Sequence, residues 1–129
     1  MIEGFEEETA SLSEYELKLV AIFVRGLQTK VGLMSAITGR EMIKAMTASG
    51  YKVNGPRVRK IINYIRMHGL VDRLVANNAG YYVSEDKDEL RRYAESLRSR
   101  ANAINAIRER IESQIAAMQT TTKQDFQHA

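Results

Sequence analysis

Three helix-start signals fall within the first 56 residues, and they leave the chain few ways to fold. Ser11 and Ser13 each stand three residues before a glutamate, Glu14 and Glu16, so either can close a capping box that starts a helix near residue 13. Thr38-x-x-Glu41 repeats the device, and Asn54-Gly55-Pro56 supplies a cap followed by proline in the first turn, where a missing N–H costs nothing. Gly50 and Gly69 end the second and third helices. Thr29 to Val31 can add a short strand between the first two. After Gly69, the segments Leu70–Ala76 and Tyr81–Ser84 are rich in Val, Leu and Tyr. They flank Asn77-Asn78-Ala79-Gly80, whose residues tolerate the positive φ of a tight hairpin turn.

The predicted order is helix, short strand, helix, turn, helix, hairpin, which is the order of a winged helix-turn-helix domain over residues 13–84. From Asp86 the pattern turns helical again and runs to about Met118 with neither glycine nor proline. Leu90, Leu97, Ile104, Ile111 and Met118 recur every seven residues along it. An unbroken helix of that length spans about 50 Å, so it must project or fold back at a soft point such as Asn102. The expected fold class is mainly α with a small β-hairpin: a winged helix-turn-helix domain followed by a long C-terminal helix. Residues 1–12 form an acidic flexible leader, 85–118 the long amphipathic helix, and 119–129, polar and aperiodic, a disordered tail.

Charge divides the chain in the same places. Residues 1–16 carry a net −6, residues 17–82 a net +9, and residues 83–129 balance. A middle segment with that excess suits a polyanion partner. The absence of cysteine removes thiolate chemistry, redox pairs and cysteine-ligated zinc, and gives no sign of a secreted disulfide framework. The longest apolar run, Leu19 to Val24, is too short to span a bilayer, and the acidic N-terminus is unlike a signal peptide. The expected location is the cytoplasm.

On a helical wheel of the third helix, Val58, Ile61, Ile62 and Ile65 gather in one inward sector. Opposite stand Pro56, Lys60, Asn63 and Met67, with Arg59 and Tyr64 on the shoulders and Arg57 and Arg66 farther round. Arg and Lys can donate to guanine O6 and N7, Asn can pair bidentately with adenine, and Met67 can touch a thymine methyl. Lys44, Lys52 and Arg40, on or beside the second helix, would serve as phosphate clamps. The hairpin is a poorer candidate, because its tip is Asn77-Asn78 with only Arg73 behind it, and both asparagines suit a turn as well as a base.

Several of these stretches resemble a set of small winged-helix proteins common in bacteriophages and prophages. They are Thr38-Gly39-Arg40-Glu41, the run from Gly55-Pro56-Arg57-Val58-Arg59-Lys60 through Ile61-Ile62-Asn63-Tyr64-Ile65-Arg66, then Gly69, Gly80-Tyr81-Tyr82-Val83 and Ser96-Leu97-Arg98-Ser99-Arg100. The resemblance covers residues 13–105 in short pieces. It implies DNA binding by the third helix through Arg57, Arg59, Lys60, Asn63 and Arg66, and it names no target.

The first helix shows two apolar stripes: Leu17, Val20, Ala21, Val24 and Leu27 on one side, Tyr15, Leu19 and Ile22 nearly opposite. The second stripe is left for the C-terminal helix or for another subunit. Together with Leu90, Leu97, Ile104 and Ile111 it predicts a homodimer, the alternative being a long helix that packs back on the first. His68 and His128 suggest neither a metal pair nor a catalytic base, and no glycine-rich phosphate loop is present. The chain is therefore expected to be no enzyme, with no cofactor, no membrane and no small-molecule substrate. Its expected partners are double-stranded DNA and a second copy. The expected function is sequence-specific DNA binding as a transcriptional regulator or replication accessory factor. The alternative is a winged-helix adaptor that assembles through its long helix.

Overall fold

The computed structural model describes residues 10–128, with side chains described for 10–118. The first nine residues of the acidic leader therefore lie outside the described part. Of the remainder, Leu12 is half-buried and packs against the core, so the leader's end is held in place.

Helix α1 (Glu14–Gln28) starts at Ser13, whose hydroxyl accepts from the Glu16 N–H while the Glu16 carboxylate accepts from the Ser13 N–H. Of the two possible boxes, the chain thus uses the second. Helix α2 (Gly39–Ala48) opens on the same reciprocal pair between Thr38 and Glu41. Helix α3 (Gly55–Met67) is capped by the Asn54 carboxamide, with proline in its first turn. The three starts fall where the residue types place them, because each side chain satisfies N–H groups that the helix cannot.

The hairpin is shorter than the sequence predicts. Strand β1 (Leu74–Asn77) pairs antiparallel with β2 (Gly80–Val83) across the two-residue turn Asn78-Ala79. Val71 is buried, and Arg73, with φ 59°, turns the chain into β1, so residues 70–73 form a turn and not a strand. The predicted strand at Thr29–Val31 is reduced to single bridges on β2, Val31 beside Val83 and Ile37 beside Tyr81. Gly80 has φ +121°, and a Cβ there would overlap the Ile37 carbonyl, so only glycine fits at this crossing.

Leu19, Phe23 and Leu27 of α1, Met42 and Met46 of α2, the four inward residues of α3, Val71 and Val83 make one core. Val58, Ile61, Ile62 and Ile65 all sit in it, as the wheel predicts. Each such burial contributes about 1.5–3 kcal/mol, which fixes the rotation of α3 and hence the edge it turns outward. For α1 the core face differs from the expectation. It is Glu16, Leu19, Phe23 and Leu27, lying between the two predicted stripes and taking Leu27 from one, Leu19 from the other and Phe23 from neither. Leu17 is exposed and Leu19 is 1% exposed, so Leu19 is a core residue and not an interface residue.

A long helix, α4 (Lys87–His128), follows. Asp86 caps it, accepting from the Asp88 and Glu89 N–H groups. Of the two expected alternatives, the helix takes the unbroken one, without a fold-back at Asn102; one correction applies, because it continues ten residues past Met118, where an aperiodic tail was expected. Without glycine or proline to stop it, an established helix adds residues at little cost. The chain divides into two compact units between Leu90 and Arg91. No described helix is long and apolar enough to cross a membrane.

Candidate nucleic-acid interface

Helix α3 offers two polar edges on either side of its outward line, and they have different chemistry. One turns toward α1. There the Glu16 carboxylate, 6% exposed, accepts from Lys60 Nζ at 2.9 Å and from Arg57 Nε at 3.3 Å. Arg57 also donates through Nη1 to the Lys52 carbonyl at 3.0 Å and lies 5.1 Å over the Tyr15 ring. The Tyr15 hydroxyl in turn accepts the Lys52 N–H at 2.8 Å. Every member of this node therefore has a partner within the protein.

Burial pushes the Glu16 carboxyl up. The Ser13 N–H and the Lys60 ammonium, with the Ser13 hydroxyl, more than offset that and hold it down to about 2. The carboxylate is thus ionised throughout the neutral range. Lys60, with a side chain only 14% exposed, and Arg57 do not stand outward as base readers. That corrects their predicted place. A buried acid on a basic helix face was the residue that pattern reasoning missed. Its signal was the spacing Glu16, Leu19, Phe23, Leu27, an acid at the head of an apolar row.

The same side of α3 borders a groove of about 350 Å³ lined by Ser11, Leu12, Leu17, Lys60, Asn63 and Tyr64, among others. Tyr64 is half-buried, and its ring lies 4.1 Å from that of His68, whose Nδ1 bonds the Tyr64 carbonyl at 2.9 Å. Tyr64 therefore belongs to the α1 side and not to the outward face. Asn63 stands at the boundary, half-buried, with its amide donating weakly to Met67 Sδ at 3.5 Å. Met67 is 73% exposed.

The other edge faces outward. Arg59 and Arg66 are exposed there, one on each side of Asn63 along the helix. Arg40 and Lys44 on α2 and Lys52 between the helices are exposed as well. Of the predicted outward line Pro56, Lys60, Asn63 and Met67, Lys60 is turned toward α1, and the exposed cations of α3 are Arg59 and Arg66.

The hairpin residues are mostly structural. Asn77 accepts the Ala79 N–H at 2.9 Å through Oδ1 and donates to the Tyr82 hydroxyl at 3.1 Å, so it forms the turn. Tyr82 is buried and donates to Glu89 at 3.1 Å, tying the hairpin to the start of α4. Arg73 pairs with Asp72 at 3.0 Å. Asn78 is exposed at the tip.

Of the residues assigned to self-association, Leu19 is in the core and Tyr15 is in the Glu16 node. Ile22 lines an apolar cavity of about 150 Å³ with Gly26, Lys30, Met42 and Ala45. Leu90 is half-buried, whereas Leu97, Ile104 and Ile111 are exposed on α4, Ile104 at 62%. Among the described residues no group of three His, Asp or Glu is placed to hold a metal ion. Comparison of this chain with family models, curated proteins and solved structures finds no match.

Proposed function

We propose that the protein is a sequence-specific double-stranded DNA-binding protein of winged helix-turn-helix type. In this reading α3 lies in the major groove, and the protein acts as a transcriptional regulator or replication accessory factor without catalytic activity. One observation carries it: the isoleucine face of α3 is locked in the core, and the edge left outward bears two arginines with a half-buried asparagine at its boundary. Arginine and asparagine are the side chains whose paired donors and acceptors match guanine and adenine edges. Arg40, Lys44 and Lys52 supply the phosphate contacts that set the register of the helix on the duplex.

Titration of a random-sequence duplex at several salt concentrations tests the proposal. Five exposed cations, Arg40, Lys44, Lys52, Arg59 and Arg66, correspond to a slope of log K against log salt near −4 to −5. A protein that no duplex retains at low salt refutes it. The exposed row Leu97, Ile104 and Ile111 favours self-association through α4, which would present two α3 helices to a roughly palindromic site. The same row supports a second reading, an adaptor that assembles with another protein through α4, and such a protein would show no salt-dependent DNA binding.

A further inference from the structure

We propose that Glu16 is an internal counter-anion that withholds two cations from the DNA-facing charge of α3, and so lowers binding to non-target duplex. This inference rests on the DNA-binding reading. A surface carboxylate beside a lysine would be displaced by phosphate at little cost. Glu16 is different, because it is fixed three times over. It is buried on the same face of α1 as Leu19 and Phe23, its Oε1 closes the α1 capping box at 2.9 Å, and the two cations hold both oxygens. Lys60 is mostly buried in this arrangement, and Arg57 is held further by the Lys52 carbonyl and the Tyr15 ring. Bringing either cation to a phosphate breaks its pair with a carboxylate that is 6% exposed, and bringing both leaves that carboxylate uncompensated. By sequence, α3 carries four cations, Arg57, Arg59, Lys60 and Arg66; by structure, Arg57 and Lys60 are paired with Glu16. Non-specific affinity depends on the number of phosphates neutralised, whereas base discrimination depends on Asn63 and the arginine edge. Removing two cations from the count therefore raises the ratio of specific to random binding.

Glu16→Gln tests this. The glutamine keeps a carbonyl to accept the Ser13 N–H, so the capping box survives while the charge is lost. Binding of a random-sequence duplex is measured by fluorescence anisotropy across a salt series, for wild type, Glu16→Gln and Lys60→Met, with circular dichroism to confirm the fold. The slope for Glu16→Gln is expected to steepen by about 2 as Arg57 and Lys60 reach phosphates, with affinity at least about 10-fold tighter at low salt. Lys60→Met is expected to leave the wild-type slope unchanged, and it decides the matter if Glu16→Gln does not fold. Equal slopes for wild type and folded Glu16→Gln, or a slope shallower by about 1 for Lys60→Met, overturn the inference while leaving DNA binding intact. A wild type that no duplex retains overturns both.

Discussion

Asn63 stands at the boundary between the two polar edges of α3, and Glu16 reaches one of those edges from α1; single substitutions at the two have opposite consequences. Asn63→Ala removes the one uncharged group on the outward edge that can pair with a base. Its expected cost is roughly 1–3 kcal/mol on the preferred sequence with little change on random duplex, whereas Lys44→Ala weakens all sequences alike. Competition binding with selected and random duplexes separates the two. Glu16 also links stability to pH. Its folded value of about 2 lies below the ordinary 4.5, so its contribution is complete above that ordinary value and is lost as pH falls toward 2. Urea unfolding should therefore show wild type more stable than Glu16→Gln at pH 7, with the gap closing near pH 2.5. A gap that persists in acid would show that the carboxylate's charge is not what stabilises the fold. The predicted reading residues Arg57 and Lys60 were legible in type but not in placement. A wheel gives the angle of a side chain on its own helix and says nothing of an acid arriving from another.

At the scale of elements, local signals carried the helices well. Ser13, Thr38 and Asn54 fixed three helix starts because a cap is a contact between neighbours in sequence. What depends on distant partners was less legible. The bridges at Val31 and Ile37 exist only because β2 is beside them, and the buried face of α1 is set by the core that it shares with α2 and α3 and not by the longest run of apolar residues. Gly80 shows the same dependence, since its crossing with Ile37 joins segments far apart in the chain. Gly80→Ala is expected to destabilise the fold by about 2 kcal/mol or more, read as a fall in the urea midpoint, through both the positive φ and the overlap with the carbonyl. A midpoint unchanged from wild type would mean that the hairpin does not cross the Ile37 segment so closely.

For the molecule as a whole, the exposed apolar row of α4 and the outward edge of α3 belong to different compact units, and the two partners proposed for them are tested separately. Ile104→Asp places a charge in the middle of the α4 row and is expected to reduce a dimer to the 14.6 kDa monomer in sedimentation equilibrium. A mass that does not change would exclude Ile104 from the contact. The heptad spacing announced that row, but spacing alone could not choose between a second copy and another protein, because both bury the same side chains. Amide chemical shifts recorded as a random-sequence duplex is added test whether α3 meets DNA with the surface around Arg59, Asn63 and Arg66. The largest changes are expected on α3 at residues 59, 63 and 66, accompanied by Lys44 and Lys52. Shifts confined to α4, or a spectrum that the duplex leaves unaltered, would contradict it.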